Sequence, residues 1–166
     1  MSTSLVSLAS LVNAFNPVTP QLRVAAIIVR GARILLVEHR KRGEHYWVLP
    51  GGRLEGLETL AAALRRELKE ELRMDARVGE LVIVSEMLAP DRHVINLMFH
   101  AEIGEGTEPR LDPSDPVLAG WQWVSTEQLP RLDFRPPIAD AVRAVIAENF
   151  AGRVRLLGDT WKPQPR

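Results

Sequence analysis

Three glutamates, Glu67, Glu70 and Glu71, are spaced so that one metal ion could be held between them. Residues three and four positions apart lie on neighbouring turns of one helix face, so these side chains should converge along the rim of a buried face. Like charges in this arrangement repel by roughly 0.2 to 0.5 kcal/mol per pair, and by more where water is partly excluded. The cluster therefore needs a cation, and carboxylate oxygens suit Mg²⁺ or Mn²⁺, often shared with a substrate phosphate.

The glutamates need a helix to bring them together, and the sequence predicts one of about three turns from Leu60 onward. Thr59 is a suitable N-cap, and good helix formers follow it without proline or glycine. Before it, Pro50 and two glycines end an apolar run, because proline cannot donate to a sheet and glycine accepts positive φ angles. One apolar stripe is expected to face the core: Leu60, Ala61, Leu64, Leu68 and Leu72.

The basic residues of the same helix are predicted to lie elsewhere. On the helical wheel Arg65, Arg66 and Lys69 point away from the carboxylates, so they are poorly placed to neutralise the whole cluster. A divalent cation is therefore the better candidate. The alternative is that the acidic helix is an ordinary solvated face, since glutamate is a common helix former.

The order of these residues resembles the signature box of the Nudix hydrolases. Gly52 is followed after five residues by Glu58 and, after seven more, by Arg-Glu-Leu-Lys-Glu-Glu at 66–71. Two positions differ from the family pattern: a glycine common to many members is Leu57 here, and the final glycine is Arg73. A glycine at a helix end normally adopts the left-handed conformation, which costs other residues roughly 1 to 2 kcal/mol. The second difference therefore concerns how the helix ends.

The resemblance implies an α/β fold, a Nudix-type α/β/α sandwich with a mixed β-sheet, over residues 21–152. It also implies a metal-dependent pyrophosphohydrolase, in which water attacks a phosphorus of a nucleoside diphosphate linked to another moiety. By matching position, the metal ligands are Glu67, Glu70, Glu71 and the Gly52 carbonyl. Glu58 and Arg66 match the pair that braces the loop against the helix, and either Glu67 or Glu71 would act as the base.

Basic and aromatic residues near the box are candidates for substrate binding. The segment 38–45 is predicted to be a polar, largely basic loop, in which Arg40 or Arg42 could hold substrate phosphates. Arg53 in the box is a further candidate, and Trp47 could stack on a base. The alternatives are an ordinary solvated connection for the loop and a core position for the tryptophan.

Pro90 favours one substrate class through the same resemblance. Members similar to ADP-ribose pyrophosphatases often carry a proline about sixteen residues beyond the box, where Pro90 stands, although a turn between strands also favours proline. ADP-ribose or a nucleotide sugar therefore ranks ahead of a nucleoside triphosphate such as an oxidised dNTP. The alternative of another class is a nucleotide sensor without activity, which is expected to have lost box carboxylates; none is missing here.

The amino-acid composition limits the number of domains, the binding partners and the cellular location that the chain can have. With 166 residues, 46% of them hydrophobic, the chain is expected to form one domain with a substantial core. Its 21 basic and 21 acidic residues cancel, so no overall charge attracts nucleic acid or a membrane surface. The lack of cysteine excludes disulfides and cysteine-based zinc sites. No apolar run approaches the roughly 20 residues of a membrane span, and the N-terminus lacks a basic signal-peptide start, so a cytoplasmic protein is expected.

The remaining segments are predicted from hydrophobic patterns. Residues 1–20 carry no charge and predict a short helix or an extension, whose apolar stripe packs on its own sheet or on a second subunit of a homodimer. Strands are predicted at 23–29, 32–37, 81–88, 93–101 and 117–125, and a helix at 138–150. Residues 103–116 are predicted to be a solvated loop, and the alternative that their length suits is an active-site flap in which Asp112 or Asp115 adds a carboxylate. Residues 153–166 are predicted to be a tail.

Overall fold

The structure is a computed structural model that describes residues 18–161. Within this range there are nine strands, two α-helices and one 3₁₀ turn at Leu129–Arg131. The strands are β1 (Gln21–Ile27), β2 (Val29–Arg30), β3 (Arg33–Lys41), β4 (Glu44–Val48), β5 (Gly51–Arg53), β6 (Ala76–Ala89), β7 (Arg92–Ile103), β8 (Leu118–Ser125) and β9 (Arg155–Asp159). The helices are α1 (Leu60–Leu72) and α2 (Ala139–Ala147). The element predicted within residues 1–20 lies almost entirely outside the described residues.

The strands form two sheets. The first has the order β5-β1-β7-β6-β9, in which β1 pairs with β7 and β6 with β9 in parallel, while the other neighbours are antiparallel. In the second sheet β3 pairs with β2, β4 and β8, always antiparallel. The predicted α/β fold with a mixed sheet is therefore confirmed.

The two helices cover opposite faces of this framework, as the side chains of β1 show. Val24 and Ala26 lie in the same buried cluster as the apolar stripe of α1. Ile27 instead joins the cluster that contains Val142 and Val145 of α2. Successive residues of a strand point to opposite faces, so β1 is buried on both sides. This burial explains its unbroken apolar run.

Helix α1 follows the predicted pattern closely. Leu64, Leu68 and Leu72 are fully buried. At its start the Thr59 hydroxyl accepts a hydrogen bond from the Ala62 N–H at 3.2 Å, as expected of an N-cap. The stripe therefore fixes which side of the helix faces the core, and so where the carboxylates at its rim can lie.

Arg73 ends the helix without the glycine of the family pattern. It adopts φ 56° and ψ 30°, the left-handed conformation. Its N–H donates to the Lys69 carbonyl at 3.1 Å, and the Met74 N–H donates to the Leu68 carbonyl at 3.2 Å. These bonds close the last turn in the way a C-terminal glycine normally allows, at a conformational cost of roughly 1 to 2 kcal/mol for arginine.

The prediction of a loop at residues 38–45 is wrong. Strand β3 continues to Lys41 and β4 begins at Glu44, with five residue pairs in register between them. Only Arg42 and Gly43 turn the chain, both with positive φ. The basic composition suggested a loop. Charged side chains also suit the exposed end of a hairpin, because hydrogen bonds between the two backbones hold that end together while its side chains face solvent.

The segment after residue 152 is more than a tail, because it contributes β9 to the first sheet. Residues Arg155 to Leu157 pair in parallel with Ile83 to Ser85 of β6. The partner strand lies far earlier in the chain, so a local pattern could not reveal this pairing. In the part of the chain between residues 18 and 161, no helix has the length and apolar character needed to cross a bilayer.

Candidate active site

Two glycines bring a backbone turn into direct contact with its neighbours. Strand β5 pairs with β1 so that Gly51 is opposite Ala25 and Gly52 is opposite Val24. A Cβ on Gly51 would lie 2.2 Å from the Val24 carbonyl oxygen, and φ there is 138°. A Cβ on Gly52 would lie 2.1 Å from the carboxyl carbon of Glu67. The backbone contact and the positive φ therefore require glycine at position 51, whereas at position 52 the end of the Glu67 side chain fills the space that a Cβ would take.

The carboxylates of Glu67 and Glu71 both contact this turn. Glu71 accepts a hydrogen bond from the Gly51 N–H at 3.0 Å. Burial raises the pKa of Glu71 to about 7; the Gly51 hydrogen bond opposes this shift and the charge of Glu67 adds to it. Burial also raises the pKa of Glu67, whose side chain is 13% exposed, against the opposing hydrogen bond from Arg66. Two poorly solvated carboxylates at one place favour a bound cation.

Arg66 lies within the acidic cluster, so the helical-wheel prediction for it is wrong. Its guanidinium donates to both carboxylate oxygens of Glu58, at 2.7 and 3.2 Å. Its Nη1 donates to Glu67 at 3.0 Å and to Glu70 at 3.1 Å, and its Nη2 donates to the Arg53 carbonyl at 3.0 Å. A wheel gives only the direction of the Cα–Cβ bond, whereas the long arginine side chain folds back over the helix. Arg66 therefore joins the loop before α1 to the helix itself.

Glu70 stands apart from the other two box glutamates. Its side chain is 59% exposed and bonds to Arg66. Within residues 18–161, the side chains of histidine, cysteine, aspartate and glutamate form no group of three or more that could hold a metal ion as they stand. Glu67 and Glu71 nevertheless fit a hard divalent cation, because they offer oxygen ligands at one turn and their mutual repulsion favours positive charge. Glu70 would join them by leaving Arg66.

The four predicted substrate contacts are unequally placed. Arg53 is exposed, directly follows Gly52 on β5, and its Nη2 donates to the Gln21 side chain at 3.4 Å. Arg40 is exposed on β3. The hairpin places Arg42 at its tip, at the end of the two strands that is farthest from the glycine turn. Trp47 is partly buried against the apolar cluster of α2, as its core alternative predicts.

Two further residues were not predicted from the sequence: Arg23, which lies near the carboxylates, and His39, which lies near Arg23. The charge of Arg23 acts to lower the pKa of Glu67 and of Glu71. The buried Nε2 of His39 has no hydrogen-bond partner among the described residues, and burial, followed by the charge of Arg23, lowers the pKa of His39. Asp115, from the predicted flap, acts to raise the pKa of Glu71 and of His39. These residues come from β1, β3 and the loop after β7, so only the folded sheets bring them together and no local signal marks them.

Comparison with known sequences agrees with the geometry. The profile described as NUDIX domain matches residues 19–145, which include the glycine turn and all of α1. Phosphatase NudJ from Escherichia coli strain K12 is similar to this chain, with 30% identity over 127 residues. The matched region is 75% of this chain and 82% of that protein.

Solved structures share the fold. The E. coli ORF135 protein, known from a solution structure, superposes with a TM-score of 0.68 and 27% identity over 81% of this chain and 96% of its own. The MutT NUDIX hydrolase from Burkholderia pseudomallei has a TM-score of 0.60 and 31% identity over 68% of this chain and 88% of its own. Both sequence and structure therefore lead to one family.

Proposed function

This chain belongs to the NUDIX domain family and is a hydrolase of phosphoanhydride bonds, and we propose that it cleaves a nucleoside diphosphate linked to another moiety. The cation is Mg²⁺ or Mn²⁺, held by Glu67, Glu71 and the Gly52 carbonyl, with Glu70 as a further ligand. One observation carries the proposal, namely that the carboxylates of Glu67 and Glu71 meet at a glycine turn with little solvent around them.

The carboxylates have two tasks in this proposal. The cation, when bound, withdraws negative charge from the diphosphate and favours ionisation of a water molecule. Glu67 or Glu71 orients that water and takes its proton. In the metal-free protein, burial raises the pKa of Glu71 to about 7, so this carboxylate binds a proton more tightly than a solvated glutamate does.

Arg66 and Glu58 keep these carboxylates in place. The two hydrogen bonds between them join the loop at residues 54–58 to α1. A further hydrogen bond links the Glu58 carboxylate to the Glu55 N–H at 2.8 Å, which holds the loop in its turn. Both residues therefore act by positioning the loop and the helix relative to each other.

ADP-ribose or a nucleotide sugar is the preferred substrate, ahead of a nucleoside triphosphate. Pro90 supports this preference and stands in the turn between β6 and β7. Arg53 and Arg40, both exposed, are the proposed contacts for the substrate phosphates. The sensor alternative is disfavoured because every box carboxylate is present.

A substrate panel tests the proposal. ADP-ribose, NADH, nucleotide sugars, dinucleoside polyphosphates and dNTPs are incubated with Mg²⁺ or Mn²⁺, and released monophosphate or phosphate is measured. We expect turnover that depends on the cation, with the highest kcat/KM for ADP-ribose or a nucleotide sugar. Binding without turnover of any compound would identify a sensor instead.

A pair of variants connects turnover to the site. Glu71→Gln keeps the shape of the side chain but removes its charge, so kcat should fall by about 10²-fold to 10⁴-fold. Glu80→Gln changes the same chemical group at an exposed position of β6 and should keep wild-type rates. Equal rates in the two variants would contradict the role given to Glu71.

A further inference from the structure

The flap, predicted at residues 103–116, contacts the C-terminal end of α1 through Arg110 and Asp112. The Arg110 N–H donates to the Leu72 carbonyl at 2.9 Å, and the Asp112 N–H donates to the Glu71 carbonyl at 3.1 Å. Carbonyls in the last turn of a helix have no partner within the helix. The flap therefore supplies the missing donors, and one of them reaches the backbone of Glu71 itself.

Side chains strengthen this contact at a single point. Arg73 Nη2 donates to Asp112 Oδ2 at 3.0 Å. The other oxygen of the same carboxylate, Oδ1, accepts hydrogen bonds from the Ser114 N–H at 2.9 Å and from the Ser114 hydroxyl at 2.7 Å. Asp112 thus fixes the fold of the flap with one oxygen and binds the end of α1 with the other.

Hydrogen bonds within the flap fix the position of Asp115. The Asp115 N–H donates to the Asp112 carbonyl at 3.3 Å, and its carboxylate accepts from the Val117 N–H at 2.8 Å. Asp115 is close enough for its charge to act on Glu71 and on His39. A continuous path of contacts therefore runs from Arg73 through Asp112 to Asp115.

We propose that the Arg73–Asp112 ion pair is a latch that positions Asp115 and Glu71 for the reaction. The inference rests on the proposed function of Glu71. It also explains why arginine stands at a left-handed position where glycine is the ordinary residue, because glycine there has no side chain to hold the flap. A strained conformation persists where surrounding contacts fix it.

The substitution Arg73→Gly separates the latch from fold stability. It relieves the left-handed conformation and removes the guanidinium, so Tm should equal or exceed that of the wild type. The flap should nevertheless lose its anchor, and kcat should fall by about threefold to fivefold with little change in KM, the limit set by a partly exposed ion pair. Asp112→Asn should give the same loss of kcat. Its Oδ1 can still accept the hydrogen bonds from Ser114, whereas its amide N–H₂ is a donor and cannot accept a hydrogen bond from Arg73. Arg73→Lys keeps the charge and should retain most of the rate.

Two comparisons make the result specific. The variant with both Arg73→Gly and Asp112→Asn should lose no more than either single variant, since the two residues act through one contact. Asp75→Asn is the matched control, because it removes an exposed ion pair at the same helix end, with Lys69, that does not touch the flap. It should keep wild-type kcat.

Two readouts are independent of turnover. Hydrogen exchange of the Arg110 and Asp112 amides should become about threefold to fivefold faster in Arg73→Gly, since local opening sets exchange and a partly exposed ion pair limits opening only weakly. The Mn²⁺ affinity of each variant, measured by electron paramagnetic resonance, should fall as well. If the wild type cleaves no compound of the panel, the proposed function fails, and Mn²⁺ affinity then replaces kcat in the test of the latch.

The latch is overturned if Arg73→Gly or Asp112→Asn keeps wild-type kcat, whatever the exchange rates. It is also overturned if kcat falls without faster exchange at Arg110 and Asp112, or if Asp75→Asn loses as much activity as the latch variants.

Discussion

The turn at Gly51 and Gly52 and the end of α1 at Arg73 are both places where the family pattern has glycine, and only the turn keeps it. At the turn, an added Cβ would overlap the Val24 carbonyl oxygen at 2.2 Å and the Glu67 carboxyl carbon at 2.1 Å. At the helix end the side chain of Arg73 is 54% exposed and meets no such obstacle. Glycine is therefore required where a neighbouring backbone approaches closely, as at Gly51, and replaceable where only φ favours it.

The same two regions differ in how they treat charge. At the turn, little water reaches Glu67 and Glu71, and burial raises the pKa of both. At the helix end, Arg73 and Asp112 meet in partly exposed surroundings, where an ion pair contributes only about 0 to 1 kcal/mol. The turn thus holds only partly compensated negative charge, since Arg66 pairs with Glu67 but not with Glu71, and a cation can relieve the rest, while the helix end uses paired charges to hold a loop.

Gly51→Ala is expected to have the largest effect on stability, because the obstacle is backbone and cannot move aside. The free energy of unfolding should fall by about 3 to 5 kcal/mol, the range of the most severe substitutions. Urea denaturation measures the loss. Gly158→Ala is the control, since nothing lies within 4 Å of its Cβ position, and a change of less than about 0.5 kcal/mol is expected there. A similar loss in both variants would show that close approach at Gly51 is not the cause.

Glu71→Gln is expected to stabilise the protein in the absence of metal, although it abolishes turnover. The pKa of Glu71 rises from 4.5 to about 7 on folding, so the native state binds the proton more tightly than the unfolded state. Stability of the wild type should therefore fall as pH rises from 4.5 to about 7, by a total on the order of 3 kcal/mol. The variant lacks this loss, because its neutral amide does not titrate.

Urea denaturation between pH 4 and 8, with and without Mg²⁺, checks this pH dependence. Mg²⁺ should restore stability to the wild type at pH 8 and leave Glu71→Gln unchanged, because a cation stabilises only the state that binds it. Glu80→Gln should follow the wild-type curve. If the free energy of unfolding changed with pH in the same way in the wild type and in Glu71→Gln, the charge of Glu71 would not be buried at the turn.

Gly52→Ala should separate activity from stability within the turn. Its Cβ meets the end of a flexible glutamate side chain, so Glu67 can swing away and the free energy of unfolding should fall by only about 1 to 2 kcal/mol. The displaced carboxylate should reduce kcat by about 10²-fold. Urea denaturation and kcat are measured on the same preparations of Gly52→Ala. A normal kcat would show that the position of Glu67 is not important for turnover.

The sequence predicted the parts of this comparison that depend on local patterns. The apolar stripe of α1 and the Thr59 cap follow from helical periodicity and from the preference of threonine for N-caps. Each of these features involves residues within a few positions of one another, so the sequence contains the whole signal.

The rest of the site depends on contacts between distant segments. Arg66 points away on a helical wheel, yet its side chain folds back to three glutamates, which only the position of the loop at Glu58 explains. Arg23 approaches the carboxylates because β1 pairs with β5, and β9 joins the sheet because it pairs with β6. Such pairings are decided by the packing of the whole domain, so a pattern read along one segment does not contain them.

Arg73→Gly and Arg73→Ala should give the smallest changes, of opposite sign, and they test the helix end itself. Glycine relieves a conformational cost of roughly 1 to 2 kcal/mol and loses an ion pair of at most about 1 kcal/mol, so the free energy of unfolding should rise by about 1 kcal/mol. Alanine keeps the unfavourable φ and loses the ion pair, so stability should stay level or fall slightly. Urea denaturation of both variants at pH 7 without metal measures the difference. If alanine were as stable as glycine, φ at residue 73 would carry no cost, and the contrast with the glycine turn would rest on contacts alone.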